Sequence, residues 1–253
     1  MARPLFDCWA QIARRVRATE TVRLFLDFDG TLAPIRATPG EVGLPPATRL
    51  AIQRLVRHSH LHTAIVSGRR RADLISHLGL PGVQYWGMYG WERRAGRALP
   101  AGTCLVVARA RDRLRSRLSG LSRVVLEDKT LGFSIHFRGA PPSAVRRARA
   151  CLARELASQG GSLHLVTGRK VWNVLPREVQ GKGAAVREAI QRLRSPCLPI
   201  YVGDDATDEP AFVALAGGIT VRVGGARRTR ARYWLSSPRQ VRRFIERLDG
   251  ALS

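Results

Sequence analysis

Two carboxylates two residues apart, Asp27 and Asp29, stand at the end of the apolar run Leu24-Phe25-Leu26 and just before Gly30. Two residues is the side-chain repeat of a strand, so both can point to one side of a sheet, and Gly30 lets the backbone turn at once. Such a pair can hold a hard cation such as Mg²⁺, which takes oxygen ligands. One member can also attack phosphorus and carry the phosphoryl group. The plain alternative is a strand-end turn, where Asp and Gly are common. Far along the chain, Asp204, Asp205, Asp208 and Glu209 crowd the end of a second apolar stretch, Tyr201-Val202-Gly203. Like charges so close repel unless a cation, Lys or Arg relieves them; otherwise this is an acidic loop and helix cap. Ser67-Gly68-Arg69 sets a hydroxyl and backbone N–H groups at a helix start, which suits a phosphate but also fits an ordinary loop. Lys182, between Gly181 and Gly183, opens another helix; it can neutralise phosphate charge or cover a solvated helix end.

These residues need elements to bring them together. Residues 22–30, 61–69, 83–90, 198–205 and 219–224 read as strands from their aliphatic runs and terminal glycines. Helices are expected over 44–59, 71–79, 181–193 and 238–248. Leu5, Phe6, Trp9, Ile12, Ala13 and Val16 mark an amphipathic helix before the first strand. Strand alternating with helix predicts a parallel α/β sheet, whose ligands bind at the carboxyl ends of the strands.

The middle of the chain has another rhythm. A helix over 104–121 carries Val107, Ala110, Leu114, Leu118 and Leu121 on one stripe, with Arg109, Arg111, Arg113, Arg115 and Arg117 elsewhere. Residues 124–130 and 131–138 alternate apolar and polar, as an antiparallel pair does. A helix over 142–158 and strands over 162–168 and 170–176 repeat the helix-strand-strand order. The expected architecture is therefore a core of residues 1–100 and 180–253, split by an α+β insert at 101–179.

Taken together and in this order, Asp27-Phe28-Asp29-Gly30-Thr31-Leu32-Ala33-Pro34-Ile35, Ser67-Gly68-Arg69, Glu127-Asp128-Lys129, Lys182-Gly183 and Gly203-Asp204-Asp205-Ala206-Thr207-Asp208-Glu209 resemble the haloacid-dehalogenase-like phosphatases. Within them the match is to the trehalose-6-phosphate phosphatase family, over roughly residues 22–225. The resemblance implies a Rossmann-like core with an inserted α+β cap and a Mg²⁺-dependent hydrolysis of trehalose 6-phosphate through an aspartyl-phosphate. It implies Asp27 as nucleophile and Asp29 as general acid, then base. Ser67 and Lys182 would hold the phosphoryl group, with Gly68 and Arg69 beside it. Mg²⁺ would sit on the Asp27 carboxylate, the Asp29 carbonyl oxygen and Asp204, with Asp205 and Asp208 supporting that shell. Glu127, Lys129 and Asn173 would meet the sugar hydroxyls, and a sugar-phosphate synthase is a conceivable partner. The chain departs from the family at two places. Val171-Trp172-Asn173-Val174-Leu175-Pro176 replaces a strand reading roughly V-L-E-V-R-P, and Gly87-Met88-Tyr89-Gly90 replaces G-N-H-G. Both fall on the expected sugar side, which leaves sucrose, glucosylglycerol and mannosylglycerate phosphates as alternative substrates.

Composition bounds the rest. The chain has 253 residues, 45% hydrophobic and 25% charged, which is globular rather than disordered or fibrous. Lys plus Arg total 43 against 19 Asp plus Glu, a net charge of +24. All but Lys129, Lys170 and Lys182 of those cations are Arg. That charge invites an anionic partner, so a non-catalytic polyanion-binding protein is the competing reading. No nucleic-acid signature is present and aromatics are only 6%, which disfavours nucleic acid. Cys8, Cys104, Cys151 and Cys197 form no C-x-x-C pair, which argues against zinc and suggests a reducing compartment. No apolar run reaches membrane-spanning length and no leader pattern stands at the N-terminus; a cytoplasmic location is expected.

Overall fold

The computed structural model describes residues 1–35, 42–93, 99–168, 170–193, 195–225 and 228–253. Its elements begin with β1 (Arg3–Pro4), α1 (Trp9–Arg17), β2 (Val22–Leu26), α2 (Pro46–Leu55), β3 (Leu61–Val66), α3 (Arg71–Leu78) and β4 (Val83–Trp86). Then come α4 (Ala101–Leu118), β5 (Val125–Asp128), β6 (Phe133–His136), α5 (Pro142–Ser158), β7 (Leu163–Gly168) and β8 (Val171–Pro176). The chain ends with α6 (Lys182–Gln191), β9 (Leu198–Gly203), α7 (Glu209–Ala214), β10 (Ile219–Val223), β11 (Tyr233–Leu235) and α8 (Pro238–Leu252). It divides into two compact units, Met1–Ala95 with Gln180–Ser253, and Gly96–Val179.

The larger unit holds a seven-stranded sheet in the order β1-β11-β10-β9-β2-β3-β4, with every pair parallel. A parallel sheet is buried on both faces, so its strands read as unbroken apolar runs. The side chains of β2 show how this works. Leu24, Leu26 and, just beyond the strand, Phe28 join the core made with α1, α2, α3 and α8. Phe25 joins the opposite core, with Tyr201, Ala185, Val186 and Phe212 of the α6 and α7 side. Asp27 shares the parity of Phe25, and this alternation aims it at α6.

Strands are shorter than the apolar runs predict, because residues 28–30 leave the ladder in a turn and residues 88–90 form a 3-10 turn. Three elements carry no signal in the sequence: β1 and β11 are two and three residues long, and α7 begins within the acidic cluster. Tyr233 and Leu235 are nevertheless buried.

The smaller unit is a four-stranded antiparallel sheet, β5-β6-β8-β7, with α4 and α5 on one face. Leu114, Leu118, Ala148 and Leu152 of the helices pack on Phe133, Ile135, Leu163, Trp172 and Val174. The parallel core with an inserted α+β unit expected from the sequence is thus the fold that forms. Part of the Arg series has a structural use: Arg113 and Arg117 of α4 donate to the buried carboxylate of Glu155 on α5 at 2.7 and 3.2 Å. On the sheet face away from the helices, register sets Glu127 beside Ser134, and Ser134 beside Asn173.

Candidate active site

β2 and β9 lie side by side, with Leu26 paired to Val202. The ladder runs one step further, the Asp27 N–H donating to the Val202 carbonyl at 2.9 Å. Asp27 and Asp204 therefore leave adjacent strand ends. Lys182, the first residue of α6, donates from Nζ to Asp27 Oδ1 and to Asp208 Oδ1, both at 2.7 Å. Tyr201 Oη donates to the same Asp208 oxygen at 2.7 Å. The other oxygen, Oδ2, accepts from the Asp205 N–H at 3.0 Å. Asp27, Lys182 and Asp208 are 5%, 3% and 0% exposed, so these charges are out of water.

Burial governs their protonation. It raises Asp27 well above the usual carboxylate range; Lys182 opposes this, and Asp208 and Asp204 reinforce it. Asp204 is pushed up to about 7 by burial and then by Asp208 and Asp205. For Lys182 burial favours the neutral amine, but Asp208 and Asp27 outweigh it and hold the ammonium above its ordinary value. Burial and Asp208 likewise push the Tyr201 phenol up, keeping it a donor. Burial is the larger cause, and a charge imbalance adds to it: three carboxyl groups face one ammonium, so full ionisation of all three is unfavourable.

A divalent cation offsets that imbalance. Carboxylate oxygens of Asp27, Asp204 and Asp208 lie within 4.8 Å of one another, and oxygen is the donor a hard cation prefers. Gly30 adds a close approach. It sits at φ +85°, and a Cβ there would overlap Asp204 Oδ2, so the Asp204 carboxylate lies directly on the backbone after Asp29. The donor set present fits Mg²⁺.

The remaining expected residues fall in three places. Asp29 is held by Arg69, whose Nε and terminal amine donate to its two oxygens at 2.7 and 2.6 Å. Arg69 also stacks over Phe28, 5.3 Å from the ring centre. Ser67 is buried at the end of β3, its Oγ accepting from the Arg69 N–H at 3.1 Å. Gly68 lies between them. The Asp205 side chain caps its own turn, accepting from the Ala206 N–H at 2.7 Å, so the carboxylate that joins Asp27 and Asp204 is Asp208.

The other three belong to the smaller unit. Glu127 forms an ion pair with Lys129 (3.8 Å) and a hydrogen bond with His136 Nε2 (2.7 Å). Asn173 has its carboxamide engaged within the sheet: Oδ1 accepts from Ser134 Oγ at 2.7 Å, and Nδ2 donates to the Val166 carbonyl at 3.1 Å. Sequence reasoning passed over Thr31, whose Oγ1 donates to Asp27 Oδ2 at 3.4 Å, and Tyr201. Thr31 lay within the first acidic motif. Tyr201 sits two residues before Gly203 on a strand whose two faces are both buried, a position where a phenol needs a buried partner.

Comparison with known proteins agrees with this geometry. The trehalose-phosphatase family model matches residues 25–231. Trehalose-phosphate phosphatases of Mycobacterium leprae and Mycobacterium ulcerans are 34% and 35% identical over 91% of this chain. The chain spans only 58% and 62% of those two proteins. Among solved structures, the C-terminal domain of Candida albicans trehalose-6-phosphate phosphatase superposes with a TM-score of 0.86 at 20% identity, covering 99% of this chain and 98% of that domain. The sucrose-phosphatase of Synechocystis superposes at 0.56 with 17% identity, over 91% of this chain and 98% of that one. Both likenesses are of fold. With the matched segment running from β2 past β10 and enclosing every residue of the buried ion cluster, the chain belongs to the trehalose-phosphatase family.

Proposed function

We propose that this chain is a Mg²⁺-dependent phosphomonoesterase that hydrolyses trehalose 6-phosphate. The observation that carries the reading is the Asp27–Lys182–Asp208–Asp204 cluster, three carboxyl groups gathered on one buried ammonium. An Asp27 oxygen attacks phosphorus in line with the bond to the sugar oxygen. As that bond breaks, Asp29 gives its proton to the departing oxygen, and the phosphoryl group rests on Asp27. Water then attacks the phosphorus; Asp29, now a carboxylate, takes the water's proton. The Asp27–phosphorus bond breaks, which frees phosphate and restores both residues. Phosphoryl transfer depends mainly on position and charge neutralisation. Lys182 supplies the second and Ser67 the first, donating to a phosphoryl oxygen. Asp27, the Asp29 carbonyl oxygen and Asp204 would hold Mg²⁺, which would supply Lewis-acid charge for the phosphoryl group. Asp208 holds Lys182 in place, and Asp205 shapes the turn that presents Asp208. Arg69 covers both Asp29 oxygens; when that ion pair opens to an incoming phosphate, Asp29 takes a proton from solvent and becomes the acid.

The smaller unit is the cap, and Glu127 and Lys129 read the sugar: together they offer an acceptor and a donor, as a polyol needs. Because the Asn173 amide is already satisfied by Ser134 and Val166, a different sugar phosphate is the second reading. No described helix is long and apolar enough to cross a membrane, and all four cysteines are unpaired, which is compatible with the cytoplasm. The test is phosphate release with Mg²⁺ from trehalose 6-phosphate, sucrose 6-phosphate, glucosylglycerol phosphate and glucose 6-phosphate, with Asp27→Asn as the blank. Preference for trehalose 6-phosphate is expected; release from none of them would overturn the phosphomonoesterase reading.

A further inference from the structure

Three consecutive residues, Met88 (φ +46°), Tyr89 (φ +58°) and Gly90 (φ +92°), lie in the left-handed region. All three are buried. Two of them are not glycine, and such backbone persists only where the surroundings over-determine it, commonly at functional sites. Here the surroundings are the two elements that carry Ser67 and Lys182. The Met88 N–H donates to the Arg69 carbonyl at 2.7 Å, and the Tyr89 N–H to the Ser67 carbonyl at 2.8 Å. The Tyr89 ring lies directly on Gly68, where a Cβ would come within 2.7 Å of Cζ and 2.8 Å of the phenol oxygen. On the other side Gly90 abuts Ala185, and a Cβ at position 90 would overlap the Ala185 methyl. Ala185 is one helical turn from Lys182 on α6.

We propose that Tyr89 is a positioning residue for the phosphoryl site: its ring, seated on Gly68, sets the spacing between Ser67 and Lys182. The proposal rests on the phosphomonoesterase reading. Residues 87–90 fill the space between the 67–69 turn and α6, and no side chain on Gly68 cushions the contact. An aromatic ring is a rigid spacer with two side-chain torsions. Removing it leaves room for the Ser67-Gly68-Arg69 turn to relax, while the Gly90–Ala185 contact still holds α6. A displacement near 1 Å between groups that position a reacting phosphoryl lowers rate by about a hundredfold.

Tyr89→Phe keeps the ring. Tyr89→Asn removes it but keeps a residue that tolerates the left-handed backbone. The two variants and the wild type are compared for kcat and KM on trehalose 6-phosphate, for inorganic phosphate affinity by calorimetry, and for Tm. Tyr89→Asn is expected to lower kcat by about 10- to 100-fold and to weaken phosphate binding, with Tyr89→Phe close to wild type in both. If Tyr89→Asn lowers only Tm, the ring is packing alone and the proposal is overturned. Equal kinetic loss in Tyr89→Phe overturns it too, because the ring would not be what positions the site. Should Tyr89→Asn not fold, Gly68→Ala pushes on the ring from the other side and is expected to show the same kinetic loss; wild-type kinetics there overturn the proposal. A wild type that releases no phosphate defeats the phosphomonoesterase reading instead, and unchanged phosphate affinity in Tyr89→Asn then still decides against Tyr89.

Discussion

The ends of β2 and β9 and the polar face of the β5-β6-β8-β7 sheet both gather charged residues, and they do it by opposite means. At the strand ends the charges are buried and fixed by main chain: Asp27 and Asp204 follow adjacent ladder positions, and Lys182 is set by the start of a helix. On the smaller sheet the Glu127 and His136 side chains are about one-third exposed, and Glu127 is paired with His136 and Lys129 through side chains. Buried charges gain strength from low dielectric and become costly when a partner is lost. Exposed pairs contribute about 0–1 kcal/mol. The first region is therefore expected to be intolerant of change, and the second tunable, which is how a common phosphoryl chemistry can serve different sugars.

The sharpest way to break this contrast is Asp27→Asn. Loss of the nucleophile is expected to lower phosphate release by at least about 10³-fold. The same change removes a carboxyl group whose ionisation burial disfavours, so the Tm without Mg²⁺ should hold or rise. A variant that retains turnover would remove Asp27 from the chemistry. Next is Lys182→Met, which leaves three buried carboxylates with no cation. Breaking a buried pair in this way costs about 3–5 kcal/mol, to be read from urea midpoints. Added Mg²⁺ should recover part of that loss. A cost under about 1 kcal/mol would mean that water reaches the cluster and that the two regions do not differ in kind.

Acidity gives a third handle. Asp204 titrates near 7 in the fold against about 3.9 in an unfolded chain. A carboxyl raised on folding contributes stability that is full below the lower value and is lost as pH rises through the higher one. Without Mg²⁺, stability from this group should fall between about pH 4 and pH 7 by up to about 1.4 kcal/mol per pH unit. Mg²⁺ competes with the bound proton, so the gain in Tm on adding it should grow across the same window. Asp204→Asn should flatten both trends. A Tm gain from Mg²⁺ that is independent of pH would place the cation elsewhere.

The same contrast explains what could be read before the fold was seen. The acidic strand ends were legible because parallel strands buried on both faces read as apolar runs, and the residues at their carboxyl ends follow each run directly. Asp27, Ser67 and Asp204 follow such runs, and Lys182 stands out as a cation between two glycines at a helix start. Which carboxylate completes the cluster was not legible: Asp205 and Asp208 are three residues apart in one turn, and only the capping geometry turns Asp208 inward. The pairing of Arg69 with Asp29 joins residues 40 positions apart and left no local trace. β11 is three residues long, too short to show a period, and Tyr233 is buried by the strands beside it. On the smaller sheet, alternation placed Glu127 and Asn173 on strands, but cross-strand register decides their neighbours. The Asn173 amide, expected at the sugar, also bonds Ser134 and Val166, neighbours that no local pattern announces.

That amide supports the next prediction. Asn173→Ala leaves the buried Ser134 hydroxyl and the Val166 carbonyl without their partner, which costs about 1–3 kcal/mol in chemical unfolding. If Asn173 is chiefly structural, KM for the preferred sugar phosphate should move less than about threefold, roughly 0.6 kcal/mol. A KM rise of tenfold or more with stability unchanged would return Asn173 to the sugar.

The smallest effect on folding is expected at Glu127. Glu127→Gln keeps the shape and one acceptor oxygen but ends the ion pair with Lys129 and removes the charge from the hydrogen bond with His136. Because that carboxylate is more than a third exposed, stability should change by less than about 1 kcal/mol. Its effect should appear in substrate choice instead. Weakening a charged acceptor to a neutral one removes about 1–2 kcal/mol of a hydrogen bond, or about tenfold in KM for the sugar phosphate. The KM for a small phosphomonoester without sugar hydroxyls should stay the same. Equal changes for both substrates would mean that Glu127 does not read the sugar, and that the exposed sheet face is a solvated surface rather than the tunable half of the comparison.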